Sequence, residues 1–66
     1  MKLNIKNINL FLADKELTKA EFANRCGMPA QSIHTILFRG TCQPKTAGKL
    51  AKALGVNVRE IVKEED

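Results

Sequence analysis

Gly27 and Pro29 stand two residues apart near the middle of the chain, with only Met28 between them. Glycine reaches the left-handed conformation that ends a helix without steric cost, and proline suits the first turn of a new helix because its φ is already set. A helix that stops at Gly27 and another that opens at Pro29 must meet across a tight turn. No other feature of the chain constrains the fold as strongly, because it requires two short helices, close together and crossed.

The segment before the turn begins as clearly as it ends. In Leu17-Thr18-Lys19-Ala20-Glu21-Phe22 the Thr18 hydroxyl can accept from the Glu21 amide while the Glu21 carboxylate accepts from the Thr18 amide, which is a capping box. Leu17 just before the cap and Phe22 four residues after it make a hydrophobic staple that fixes how the chain enters the helix. The pattern predicts a helix over 19–26, with Ala20, Phe22, Ala23 and Cys26 as its small and apolar surface. Beyond the turn, Ile33, Ile36 and Leu37 recur on one face at about 100° per residue. Gln31, His34, Thr35 and Phe38 therefore fall on the opposite, outward side.

Ile5, Ile8 and Leu12 predict a first amphipathic helix over 4–14. Leu10 and Phe11 lie off that stripe and are read as widening the buried face rather than as an exposed patch. Arg39-Gly40-Thr41-Cys42-Gln43 reads as a loop, and Pro44 opens another helix, with Ala47, Leu50, Ala51 and Leu54 inward and Lys45, Lys49 and Lys52 outward. Gly55 ends it. Gly48, inside this helix, costs about 1 kcal/mol in propensity relative to alanine, which points to close approach of a neighbouring helix. Asn57 caps a short fifth helix carrying Val58, Ile61 and Val62, and the acidic end, 63–66, is expected to fray. With no strand pattern, the expected fold is all-α, a compact bundle of five short helices forming one domain over 1–66, with its turn motif at about 18–38.

Size and charge narrow the function. Sixty-six residues hold one core, without room for a separate ligand-sensing domain or a deep catalytic pocket. Residues 1–59 carry a net +7, ten Lys and Arg against Asp14, Glu16 and Glu21, so the body is more basic than the overall +4. Such a body attracts polyanions, of which nucleic acid is the commonest for a small domain. No stretch approaches the roughly 18 apolar residues of a membrane span, and residues 1–12 are too often broken by Asn and Lys for a signal peptide, so a cytoplasmic protein is expected. There Cys26 and Cys42 would stay thiols. Cys26, His34 and Cys42 lack the paired short spacing of metal ligands, and Ser32, His34 and Thr35 have no nearby carboxylate to orient a nucleophile and base. Neither metal, cofactor, small-molecule ligand nor enzymatic activity is expected.

Three blocks, Leu17-Thr18-Lys19-Ala20-Glu21-Phe22-Ala23, Gly27-Met28-Pro29-Ala30-Gln31-Ser32-Ile33 and Leu50-Ala51-Lys52-Ala53-Leu54-Gly55-Val56, resemble at matched spacing the repressor/Cro (XRE-like) family of helix-turn-helix regulators. The resemblance covers about Ile8 to Val62 and implies a lambda-repressor-like DNA-binding domain of a bacterial or phage transcriptional regulator acting at the nucleoid, most simply a repressor. It makes Ala23 the small residue where the helices cross and 30–38 the recognition helix. Pro29 departs from the pattern, since such proteins often carry a Ser or Thr cap there.

In that family the recognition helix enters the major groove, where each base pair shows a distinct set of donors, acceptors and methyl groups. The base-reading residues implied are Ala30, Gln31, Ser32, His34 and Thr35, with Gln31 foremost because a carboxamide can pair bidentately with adenine. Lys19, Arg39, Thr41 and Lys45 would hold phosphates. A homodimer on a palindromic operator is expected, at least on DNA; the resemblance puts its contact near Val56 to Val62 and the loop before it, with Leu10 and Phe11 as the alternative candidate. Two rivals remain. One is a helical protein-interaction module, an antitoxin or accessory protein, using Phe38, Phe11 and Leu10; the other is a nonspecific DNA binder, against which the uncharged face of the third helix argues.

Overall fold

The computed structural model describes residues 1–63. Four α-helices follow one another, α1 (Ile5–Asp14), α2 (Lys19–Cys26), α3 (Ala30–Arg39) and α4 (Pro44–Leu54), and a three-residue 3-10 turn, Val58–Glu60, comes after them. The class is all-α, as the apolar periods require. The expected fifth helix is only that turn: Ile61 and Val62 fall outside it, because each is committed to other parts of the chain.

Each helix end has a local cause. Asn4 caps α1, its side-chain oxygen accepting from the Asn7 amide at 3.1 Å. The capping box of α2 forms in full, with the Glu21 amide donating to Thr18 Oγ1 at 3.1 Å and the Thr18 amide donating to Glu21 Oε1 at 3.0 Å. At its far end Gly27 has φ +70°, and the Met28 amide donates back to the Ala23 carbonyl at 3.0 Å, closing a Schellman-type cap. The same pair of bonds ends α1, where the Leu17 amide reaches the Leu12 carbonyl at 2.9 Å, but the left-handed residue there is Glu16, φ +54°. Pro29 does not occupy the first helical position expected of it. Its ψ of 145° makes it the extended residue before α3, which starts at Ala30 with no side-chain cap.

α2 packs on both α3 and α4, and α4 packs on the 3-10 turn. The core gathers Ile8 and Leu12 from α1, Phe22 and Ala23 from α2, Ile33 and Leu37 from α3, and Leu50, Ala51 and Leu54 from α4. Ala23, a small residue of α2, is 1% exposed. Each large core side chain contributes about 1.5–3 kcal/mol through burial.

Two core residues lie outside the helices. Leu3 and Ile61 are buried, held where the N-terminal segment passes between the α3–α4 loop and the residues after the 3-10 turn. The Leu3 amide donates to the Gly40 carbonyl and the Asn4 amide to the Ile61 carbonyl, both at 2.8 Å. Isolated antiparallel bridges, Lys2 with Thr41 and Leu3 with Val62, are the extended pairing that the apolar pattern did not reveal. Lys63 is tied in as well, its amide donating to the Lys2 carbonyl at 2.9 Å, so fraying does not begin there. Residues 64–66 of the expected frayed end lie outside the described residues.

Three further expectations are corrected. Leu10 is 54% exposed rather than part of a wider buried face, while Phe11 does pack on the core. Ala20 is exposed. A side chain at Gly48 would meet nothing within 4 Å, so no neighbouring helix approaches it. None of the helices among the described residues is long and apolar enough to cross a membrane.

Candidate nucleic-acid interface

α3 is anchored by one face and free on the other. Ile33 and Leu37 are buried and Ile36 packs against the core, which turns Ala30, Gln31, His34 and Thr35 to the surface, with Ser32 half-buried beside them. The helical period alone accomplishes this: a stripe at i, i+3 and i+4 sinks, and the residues between it rise.

Gln31, Ser32 and Thr35 line one shallow concave surface, whose apolar wall is Met28, Pro29 and Ile36. Thr35 is also part of the adjoining depression, which it shares with Arg39 and Thr41. On the other flank, Lys19 from the first turn of α2 meets His34 and Phe38 over Asn9 of α1. The uncharged row thus has a cation on each side. Lys19 and Arg39 are exposed, and neither side chain makes a hydrogen bond or ion pair among the described residues. Such cations remain available to a polyanion.

Lys45 is set apart. It occupies the second position of α4, exposed, and is joined to Arg39 and Thr41 only through the chain that runs by Gln43 and Pro44. The structure therefore unites eight of the nine residues singled out from the sequence around the exposed side of α3 and leaves Lys45 at the margin. Ala30 is included by its place at the first turn of α3.

Hydrogen bonds already in place limit what these groups can offer. Thr35 Oγ1 donates to the Gln31 carbonyl at 3.0 Å. At the start of α2 the Glu21 carboxylate accepts from Thr18, which with the Thr18 hydroxyl and then the Arg25 charge holds its pKa below the ordinary value. That carboxylate is two residues on from Lys19 in the same first turn and disfavours a phosphate close to the helix end, so a phosphate on Lys19 would be held further out.

Sequence reasoning missed the apolar wall of Met28, Pro29 and Ile36 and the contribution of α1 to the Lys19 flank. The first was foreshadowed by the turn itself, since two residues of the Gly27-Met28-Pro29 turn must lie against the base of α3. The second depends on how α1 crosses α3, which no local pattern encodes. Away from α3, Cys26 and Cys42 are free, half-buried thiols whose pKa values burial pushes up, opposed in smaller measure by Lys49 and by the chain's N-terminal ammonium respectively.

No protein-family model, curated protein or solved structure matches this chain.

Proposed function

We propose that this chain is a helix-turn-helix regulator of the repressor/Cro type, which lays α3 in the major groove of double-stranded DNA and binds it sequence-specifically. The observation that carries the reading is the uncharged row of exposed Gln31 and Thr35 with half-buried Ser32, bordered by the exposed cations Lys19 and Arg39, whose side chains have no partner among the described residues. Donors and acceptors at the ends of short side chains can distinguish base edges, while cations on both flanks suit the two phosphate walls of a groove. A nonspecific binder would place Lys or Arg where Gln31 and Thr35 stand.

Regulation would proceed by occupying an operator, the simplest route for a domain of this kind. Two copies on a palindrome would combine their contacts. Of the segment expected to join them, Ile61 is fully buried and Val56, Val58 and Val62 pack on their own core, so little apolar surface is left for a free dimer. Pairing on DNA, with each copy held by its own half-site, is the reading this supports.

A second reading, a protein-interaction module, draws on the exposed Leu10 and Phe38. Titration of a labelled duplex against scrambled competitor at rising salt separates the two. Selective binding that weakens steeply with salt is the regulator's outcome; binding without preference at every salt concentration, together with a stable complex with a protein partner, is the module's.

A further inference from the structure

Phe38 is 92% exposed, an unusual position for the largest apolar side-chain type in the chain. Its place on α3 is not arbitrary. It follows Gln31 by seven residues, His34 by four and Thr35 by three, so it lies on the same stripe, about 20° around the helix axis from Gln31 and about 10 Å further along it. It shares a concave surface with Lys19 and His34, and Arg39 is its chain neighbour.

We propose that Phe38 is the apolar element of the duplex-reading face and packs its ring on the 5-methyl group of a thymine, an inference that rests on the DNA-binding reading above. The cations beside it decide between partners. A second copy of this chain pairing through the same stripe would bring Lys19 and Arg39 against their own counterparts, a like-charge contact. A duplex instead sets apolar methyl groups beside phosphates, which is the pairing of an exposed ring with Lys19 and Arg39. The base met by Phe38 lies about three base pairs from the one met by Gln31, given a rise of about 3.4 Å per step along the groove.

Methyl deletion in the DNA tests this directly. Each thymine of a duplex selected by the wild-type chain is replaced in turn by deoxyuridine, and binding is measured for wild type and Phe38→Ala, with circular dichroism and thermal melting as controls for folding. One substitution is expected to weaken wild-type binding about fourfold, the equivalent of about 0.8 kcal/mol for a methyl group returned to water, and to leave Phe38→Ala indifferent. The variant should fold and melt as wild type does, because the ring touches little of the protein. If wild type selects a duplex but the deoxyuridine profile is the same in both chains, Phe38 is not a base contact and the DNA-binding reading stands without it. If Phe38→Ala abolishes self-association in sedimentation and changes nothing on DNA, the ring belongs to an interface between copies. A wild-type chain that selects no duplex overturns both inferences.

Discussion

The side-chain hydroxyl of Thr35 donates its proton to the main-chain carbonyl of Gln31, 3.0 Å away and one helical turn earlier. That commitment decides what Thr35 can say to a base. With the proton used, the oxygen keeps only its lone pairs for a partner, so under the proposed reading it would accept from the amino group of adenine or cytosine and could not donate to guanine O6 or N7. Thr35→Ser keeps this acceptor and should keep the base preference. Thr35→Val removes it and should cost about two- to tenfold in affinity, the net worth of one hydrogen bond, while broadening selection at one position. Equal affinity and an unchanged preference in Thr35→Val would remove Thr35 from the reading row.

Two backbone positions are poorly matched to their residues, and both corrections should stabilise the fold. Glu16 sits in the left-handed conformation that Gly27 and Gly55 occupy at the ends of α2 and α4, at φ +54°. Gly48 is helical, exposed and surrounded by open space. Glu16→Gly should relieve up to about 1 kcal/mol of strain, and Gly48→Ala should add about 1 kcal/mol through helix propensity. Glu16 lies in the turn after α1 and Gly48 inside α4, so the two should combine additively in urea denaturation of the double variant. A loss of stability at Gly48→Ala would show that another helix does press on it.

Acid should act on α2 through Glu21. Its main-chain and side-chain bonds with Thr18 lower its pKa in the folded chain. A carboxyl depressed in this way contributes its full stability above its ordinary value near 4.5, and the contribution disappears as the pH falls through the lowered one. Glu21→Gln can still accept from the Thr18 amide but does not titrate. Melting temperatures from pH 7 to 3 should therefore fall less for Glu21→Gln than for wild type, and parallel curves would mean that the capping box adds no pH dependence.

Much of this molecule is legible in its sequence because its signals are local. Thr18 and Glu21 are three residues apart, Gly27 terminates its own helix, and the exposed row on α3 follows from the period of Ile33, Ile36 and Leu37 alone. What escaped is non-local. Leu3 belongs to no helical stripe and is buried because residues 1–3 pass between Thr41 and Val62, a closure that joins the two ends of the chain. Ile61 and Val62 have the spacing of a helix, yet tertiary pairing with Asn4 and Leu3 prevails over local propensity. Leu10 departs from the expected burial because α1 turns that side to solvent. In the candidate interface, the row itself could be read from the sequence, whereas the shared surface of Lys19, His34 and Phe38 depends on how α1, α2 and α3 cross.

The central claim, that α3 reads a duplex through Gln31 and its neighbours while Lys19 holds the backbone, is tested most directly by selecting binding sites from random double-stranded DNA with wild type, Gln31→Ala and Lys19→Ala. Wild type should enrich a palindrome with half-sites about one helical turn, 10–10.5 base pairs, apart. Gln31→Ala should lose discrimination at one position per half-site at a cost of about 1–3 kcal/mol, and Lys19→Ala should keep the motif while weakening every sequence alike. No enrichment by the wild-type chain, or an unaltered motif from Gln31→Ala, would contradict it.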